Sequence, residues 1–561
     1  MSVSRLLQPL PEIDTGLSDP RETLLLGALL IVGLTFVAAF LSIVSGLPAL
    51  VFVAFVGTLY GIAILLLRRV LPGVLVAFIV TAGFAANVPL ASNEYLRSVT
   101  GAIGPELWLA QPVLVVGLVV ALFRGRRDVF RGATLAELLF AGFVGWSVLA
   151  ALFGATVRTD VALYFSLLMG QLLVTLVLFR YAVQHRILAF RTVVQTFVGA
   201  VVAQSLFAIA QFVNGGTFGI TTLGESGSRT ISTYVLGPFG TLSAGTYVSG
   251  FTGGQFILAS LIILALPVLL ALSTRSEREI QAASVGGIVV TIVALRGTAG
   301  DAARGGLIVA EVSFAILTLY LYRSRLGERI EQIAGRFPGT GNQAGRSVLV
   351  AGAVSVLSII LILYPSSRAG DTSVDTADES GGDPSSFQPG SAGSGGTDGA
   401  QETTAPSITV PDSALEDLSV PFFDMSNLGV RLQQYVAGWD LFVRYPLFGV
   451  GGGNFRYYAT RYGLPYPLPL HSIYMGLLAE TGLPGLLFYT SAVVVVFWYG
   501  WQTIVEAKGE GLLLAGVLCG LLGYLSFGFF DYLQLIKPMS VFSIGILAGA
   551  VLGQYRGRTE Q

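Results

Sequence analysis

Residues 431–485 read RLQQYVAGWDLFVRYPLFGVGGGNFRYYATRYGLPYPLPLHSIYMGLLAETGLPG. The stretch lies between two strongly apolar segments, yet it carries four arginines, a histidine and a glutamate. Polar side chains set among membrane spans are costly, so they mark function. Arg431, Tyr435, Gly438 and Phe442 recur at intervals of four and three and share one helical face. That spacing predicts a helix over 427–444, ended by Pro446. Gly449, Gly451, Gly452 and Gly453 predict a loop whose backbone reaches positive φ and approaches a ligand closely. Pro465, Pro467 and Pro469 favour an extended approach to His471.

Outward from this stretch, the chain is apolar. It has 561 residues, 53% of them hydrophobic and 12% charged, with mean hydropathy +0.74. Apolar runs of about 20 residues recur, the length that crosses a bilayer. The expected fold is all-α and integral to the membrane, with about 14 transmembrane helices. Their expected limits are 23–45, 47–67, 70–90, 105–123, 134–153, 160–183, 192–213, 250–273, 283–295, 304–322, 346–364, 483–503, 512–530 and 539–554. The ninth is short enough to be tilted or partly re-entrant. Four regions follow: residues 1–364 with helices 1–11, an acidic Gly/Ser-rich outer loop at 365–425, the motif segment at 426–482, and residues 483–561 with helices 12–14. The outer loop holds 11 acidic residues between Gly370 and Asp424 and no basic one. Its first half is too polar to bury a core and is expected to be disordered.

Basic residues set the expected orientation. With the N-terminus inside, inner segments carry 21 Arg and Lys and outer segments 11. Both termini are then cytoplasmic, and the motif segment lies on the outer face of a multi-pass plasma-membrane protein. No cleavable leader is expected, because the first 22 residues contain prolines and acids and lack an apolar core. The single cysteine, Cys519, excludes an internal disulfide and disfavours a cysteine-ligated metal.

The stretch resembles the O-antigen ligase and polymerase family of membrane glycosyltransferases. Arg431, Trp439, Pro446, Gly449, Gly451, Gly453, Phe455, His471, Tyr474, Glu480, Gly482 and Gly485 carry the resemblance. Ser472 stands where the family usually has Asn. A second piece, Arg304-Gly305 at the start of a span, fits the family's Ser-Arg-Gly with Ala303 in place of Ser. The resemblance implies a C-type membrane glycosyltransferase architecture. It also implies a polyprenyl (pyro)phosphate-linked glycan donor and a lipid, glycan or protein acceptor.

For such a reaction the leaving phosphate needs charge stabilisation. Arginine suits this, because it stays charged and grips phosphate oxygens with a planar fork. Arg431, Arg304 and Arg229 are the expected donor-phosphate ligands, supported by Arg296. The plain alternative for Arg296 and Arg304 is snorkelling to the interface. With two histidines and no Asp-x-Asp in an outer loop, metal-independent chemistry without a cofactor is expected. His471, the one histidine on the outer face, is the expected base for the acceptor hydroxyl. Gly451, Gly453, Asn454 and Glu480 are expected to support the site. Glu480 is nine residues beyond His471, so an unbroken helix would turn it to the opposite side. Tyr435, Trp439, Phe455, Tyr457, Tyr458 and Tyr462 suit sugar stacking or, more plainly, an interfacial aromatic belt. The ligase and the polymerase use the same parts and stay open. A transporter of lipid-linked sugars is the alternative of another class. It would favour ionisable groups at mid-span, whereas Glu137 and Glu311 are expected near enough to span ends to reach an interface. Membrane lipids are the remaining partners, and nucleic acid is not expected.

Overall fold

The apolar runs form helices, seen in a computed structural model that describes residues 70–89, 106–125, 128–220, 223–225, 232–235, 241–244, 248–275, 277–298, 301–335, 428–464, 469–506 and 511–559. In chain order these are α1 (Val70–Thr81), α2 (Ala110–Gly125), α3 (Leu135–Phe153), α4 (Thr159–Gln184), α5 (Phe190–Asn214), α6 (Gln255–Ser273), α7 (Arg278–Gly297) and α8 (Asp301–Gly335). After 335 come α9 (Leu428–Arg444), α10 (Phe455–Ala459), α11 (Ile473–Glu506), α12 (Gly511–Phe527), α13 (Leu533–Ile536) and α14 (Pro538–Thr559). Among the described residues, eight helices are long and apolar enough to cross a membrane: α3–α7, residues 303–321 of α8, α11, and residues 538–557 of α14. Helices α1, α2 and α12 are apolar but shorter. The protein is thus a multi-pass helical membrane protein. The expected spans at 23–45, 47–67 and 346–364, the acidic segment 365–425 and Arg229 lie outside the described residues.

Some limits differ from the sequence reading. The short ninth span is a 20-residue helix, α7, because polar Arg278–Gln281 continues the helix beyond the apolar part. The span expected at 70–90 stops at Thr81. Beyond it, Asn87–Pro89 (β1) pairs antiparallel with Glu106–Trp108 (β2), so the 105–123 span begins with a strand. Hydropathy cannot tell a short apolar strand from helix. A second hairpin joins Ser232–Val235 (β3) to Thr241–Ala244 (β4).

Close helix contacts follow a stripe of small residues. Gly545, Gly549 and Gly553 recur every four residues along α14, and a Cβ at each would meet Thr175, Leu176 or Arg180 of α4. Gly516 and Gly520 of α12 likewise meet the backbone of α6 at Pro267 and Leu264. Spacing small residues by four lets two backbones approach where lipid supplies no hydrophobic drive. Helix α6 is buried from Ile257 to Ser273, at the centre of the bundle.

The bundle has two ends. At one, α3 begins with a capping box: Glu137 N–H donates to Thr134 Oγ1, and Thr134 N–H donates to Glu137 Oε2 at 2.6 Å. The same carboxylate takes a 2.5 Å bond from Nε of the fully buried Arg180. Glu137 is therefore a buried ion-pair partner and does not reach an interface. Glu311 also departs from expectation. It sits midway along residues 303–321, fully buried, and neither carboxyl oxygen has a hydrogen-bond partner among the described residues. The other end carries α9, α10 and the starts of α4, α8 and α11.

Candidate active site

The motif segment is sewn into the start of α11. Gly449, Gly451 and Gly453 have φ of 64°, 84° and 74°. The loop they form approaches protein closely. Val450 N–H donates to Ala479 O at 3.0 Å and Gly451 N–H to Glu480 O at 2.8 Å. A Cβ on Gly449 would stand 2.5 Å from the Glu480 carbonyl carbon. Gly482 (φ 70°, ψ −177°) kinks α11, and its Cβ would collide with the Leu447 carbonyl. Both positions need glycine for its left-handed backbone and for its missing side chain. The close approach expected of a ligand is thus made, at Gly449 and Gly451, by the helix itself.

Glu480 organises this knot. It is buried and takes bonds from Gly453 N–H at 2.8 Å, Phe455 N–H at 3.0 Å and Tyr532 OH at 2.5 Å. Arg456, also buried, lies near enough for charge interaction with Glu480, and burial holds its guanidinium below the usual arginine value. Asn454 is wholly buried too. It accepts from Arg158 N–H at 2.8 Å and donates to Arg158 O at 3.1 Å, clamping the α3–α4 turn. Gly451, Gly453, Asn454 and Glu480 therefore come together as a scaffold. The sequence carried no signal for Tyr532, 52 residues from Glu480, or for Arg158.

Arg431 and His471 form a second cluster. Buried Gln434, one turn along α9 from Arg431, accepts from His471 N–H at 3.1 Å and donates to Pro469 O at 3.3 Å. His471 is partly exposed yet closely surrounded by protein. Burial, and then the nearby Arg431 charge, push its imidazole down to about 4. The ring is therefore unprotonated at pH 7, with its acceptor nitrogen open but its basicity below that of an ordinary imidazole. Arg431 makes no ion pair among the described residues. Tyr435 sits beside Arg431 and Ser472 and donates to Phe529 O at 2.6 Å. Ser472 precedes α11, and its Oγ accepts Met475 N–H at 3.4 Å. Ser and Asn are both strong N-caps, so this departure from the family pattern leaves the helix start intact.

Arg296 and Arg304 lie within charge interaction of each other where α7 ends and α8 begins. Gly306 of α8 packs on Phe527. The next residue, Gly528, accepts Ile473 N–H at 2.7 Å, and Phe529 holds Tyr435. The pair thus shares the end of the bundle with Arg431 and His471. Among the described residues, no three His, Cys, Asp or Glu side chains gather as a metal site would require.

Residues 288–490 match the model of a family described as O-antigen ligase. The matched span holds Arg431, His471, the glycine loop, Asn454, Glu480 and the Arg296–Arg304 pair, and leaves out Arg158, Tyr532 and Arg229. No curated protein matches the chain.

Proposed function

From a chain assigned to the O-antigen ligase family by its residues 288–490, a family of membrane glycan-transfer enzymes, we propose transfer of a glycan from a polyprenyl (pyro)phosphate carrier to an acceptor hydroxyl at the outer face. The observation that carries this is the pairing of Arg431, which makes no ion pair among the described residues, with a neutral, partly exposed histidine, His471.

The chemistry divides between them. The bond from the sugar's anomeric carbon to the carrier phosphate breaks, and its electron pair leaves with the phosphate. Arg431, aided by Arg304, with Arg229 and Arg296 as further candidates, takes up that charge. The acceptor oxygen bonds to the anomeric carbon, and its proton passes to His471. A bound phosphate offsets the Arg431 charge that holds the imidazole down, so donor binding raises the basicity of His471. No metal is required in this scheme. Transfer that continues unchanged in a chelator, and stops in Arg431→Ala, would support it. Single additions to an acceptor would mark a ligase, and a ladder of repeats a polymerase.

One observation favours the alternative of another class. Glu311 is an ionisable group buried at mid-span, as transporters of charged substrates have. Reconstituted protein that moves a lipid-linked sugar across vesicles without cleaving it would replace the enzyme reading.

A further inference from the structure

Helix α9 has four sides. Gln434, Ala437, Gly438 and Leu441 are buried against the protein. Arg431 and Tyr435 form the side that meets His471 and Ser472. Asp440 and Arg444 form the opposite flank, joined by a 2.8 Å ion pair that Tyr462 OH completes at 2.6 Å. The remaining side, 180° from the buried one at helical spacing, is Leu432, Val436, Trp439 and Val443. They are 39%, 45%, 54% and 59% exposed. A strip of four such side chains, spaced by four, three and four, is not what a helix shows to water.

We propose that this strip docks into the membrane itself, with α9 lying in the plane of the leaflet at the motif end, at the boundary between headgroups and hydrocarbon. The strip is continuous with surfaces that already face lipid. Beyond α9 it runs through exposed Leu447 to Leu483 and Leu487 of the α11 span, and to Leu152 and Phe153 of the α3 span. The join is fixed in place. Leu483 N–H donates to Pro446 O at 2.9 Å, and Phe448 stacks on Trp146 of α3 with ring centroids 5.0 Å apart. The C-terminal end of α9 is therefore held where α3 ends, at the edge of the hydrocarbon. Trp439 is the side chain that prefers this boundary, and the Asp440–Arg444 flank keeps the helix from sinking deeper. One consequence rests on the donor reading above. Arg431 then stands at headgroup level, and a lipid-linked phosphate reaches it sideways, without leaving the leaflet.

The test uses the full chain in liposomes, in a Cys519→Ala background, with a nitroxide at Val436→Cys or Val443→Cys and, as controls, at Gln433→Cys or Arg444→Cys. Power saturation is read with oxygen, which concentrates in lipid, and with a water-soluble nickel chelate. Labels at 436 and 443 should be several times more accessible to oxygen than to the chelate, with the order reversed at 433 and 444. Chelate access at 436 and 443 would overturn the proposal by placing the strip in water. Access to neither reagent would overturn it by showing that protein covers the strip. A short nitroxide–nitroxide distance between chains would name that cover as a second copy. None of these outcomes depends on transfer activity, so failure of the donor reading would remain distinguishable.

Discussion

Each end of the bundle holds a conspicuous arginine, and the two are used in opposite ways. Arg180 is wholly buried, with its donors spent inside the fold. Nε bonds Glu137, Nη1 bonds Gln184 at 2.5 Å, and Nη2 bonds Val129 O at 2.6 Å. Arg431, at the motif end, makes no ion pair among the described residues and acts on a neutral histidine instead. An arginine fully satisfied by protein has no fork left for a phosphate. The difference teaches that charge in a span-rich chain is informative only once its donors are accounted for.

Breaking the Arg180 cluster should have the largest effect. Arg180→Leu leaves Glu137 buried and unpaired, which costs about 3–5 kcal/mol. Thermal unfolding of the purified protein should show that loss, whereas Arg431→Leu should unfold near the wild-type temperature. If the two variants unfold alike, the distinction between the arginines is lost. Replacing both partners, Arg180→Leu with Glu137→Leu, should recover much of the stability, because the uncompensated charge is gone.

At the motif end, activity should respond and stability should not. His471→Ala should lower transfer roughly 10²–10⁴-fold, the scale of a lost general base, while sparing donor binding. Transfer at the wild-type rate would demote His471 to a structural residue. Arg431→Lys keeps the charge but loses the planar fork. It should weaken donor binding by about 1.5–3 kcal/mol, the scale of a hydrogen bond to a charged group. Equal binding by wild type and variant would remove the phosphate clamp.

The smallest effect is the most specific. In Arg431→Gln, the His471 imidazole should titrate above its value of about 4. Removing a neighbouring positive charge favours the protonated ring, so the shift is upward. Burial, the larger cause, remains, so the value should stop short of the ordinary 6.5. Wild-type activity should fall on acidification as the ring takes its proton, and the variant's residual activity should begin to fall at higher pH. Histidine-labelled NMR can follow this directly, since the chain has two histidines. An unchanged titration would separate Arg431 from His471.

Sequence alone determined the class. Runs of apolar residues long enough to cross a bilayer require helices, because unpaired backbone cannot be left in lipid. Most described helices therefore fall on expected spans. The helix over 428–444 was legible from its spacing, and positive φ in the loop from its glycines. Tertiary structure decided what those residues touch. The glycines of the loop serve close packing inside the protein: a Cβ on Gly449 would meet Glu480 of α11, one on Gly451 would meet Thr156, and one on Gly452 would meet Phe165 of α4. Glu480 belongs to the scaffold because Tyr532 reaches it from a distant turn. Glu311 lies buried without a hydrogen-bond partner among the described residues. Asp440 lies beside α9's apolar strip, and its place there is settled by Arg444 and Tyr462. Local pattern fixes where a chain meets lipid, since transfer from water depends on composition. Which polar atoms meet depends on how helices distant in sequence cross, and no window along the chain contains that.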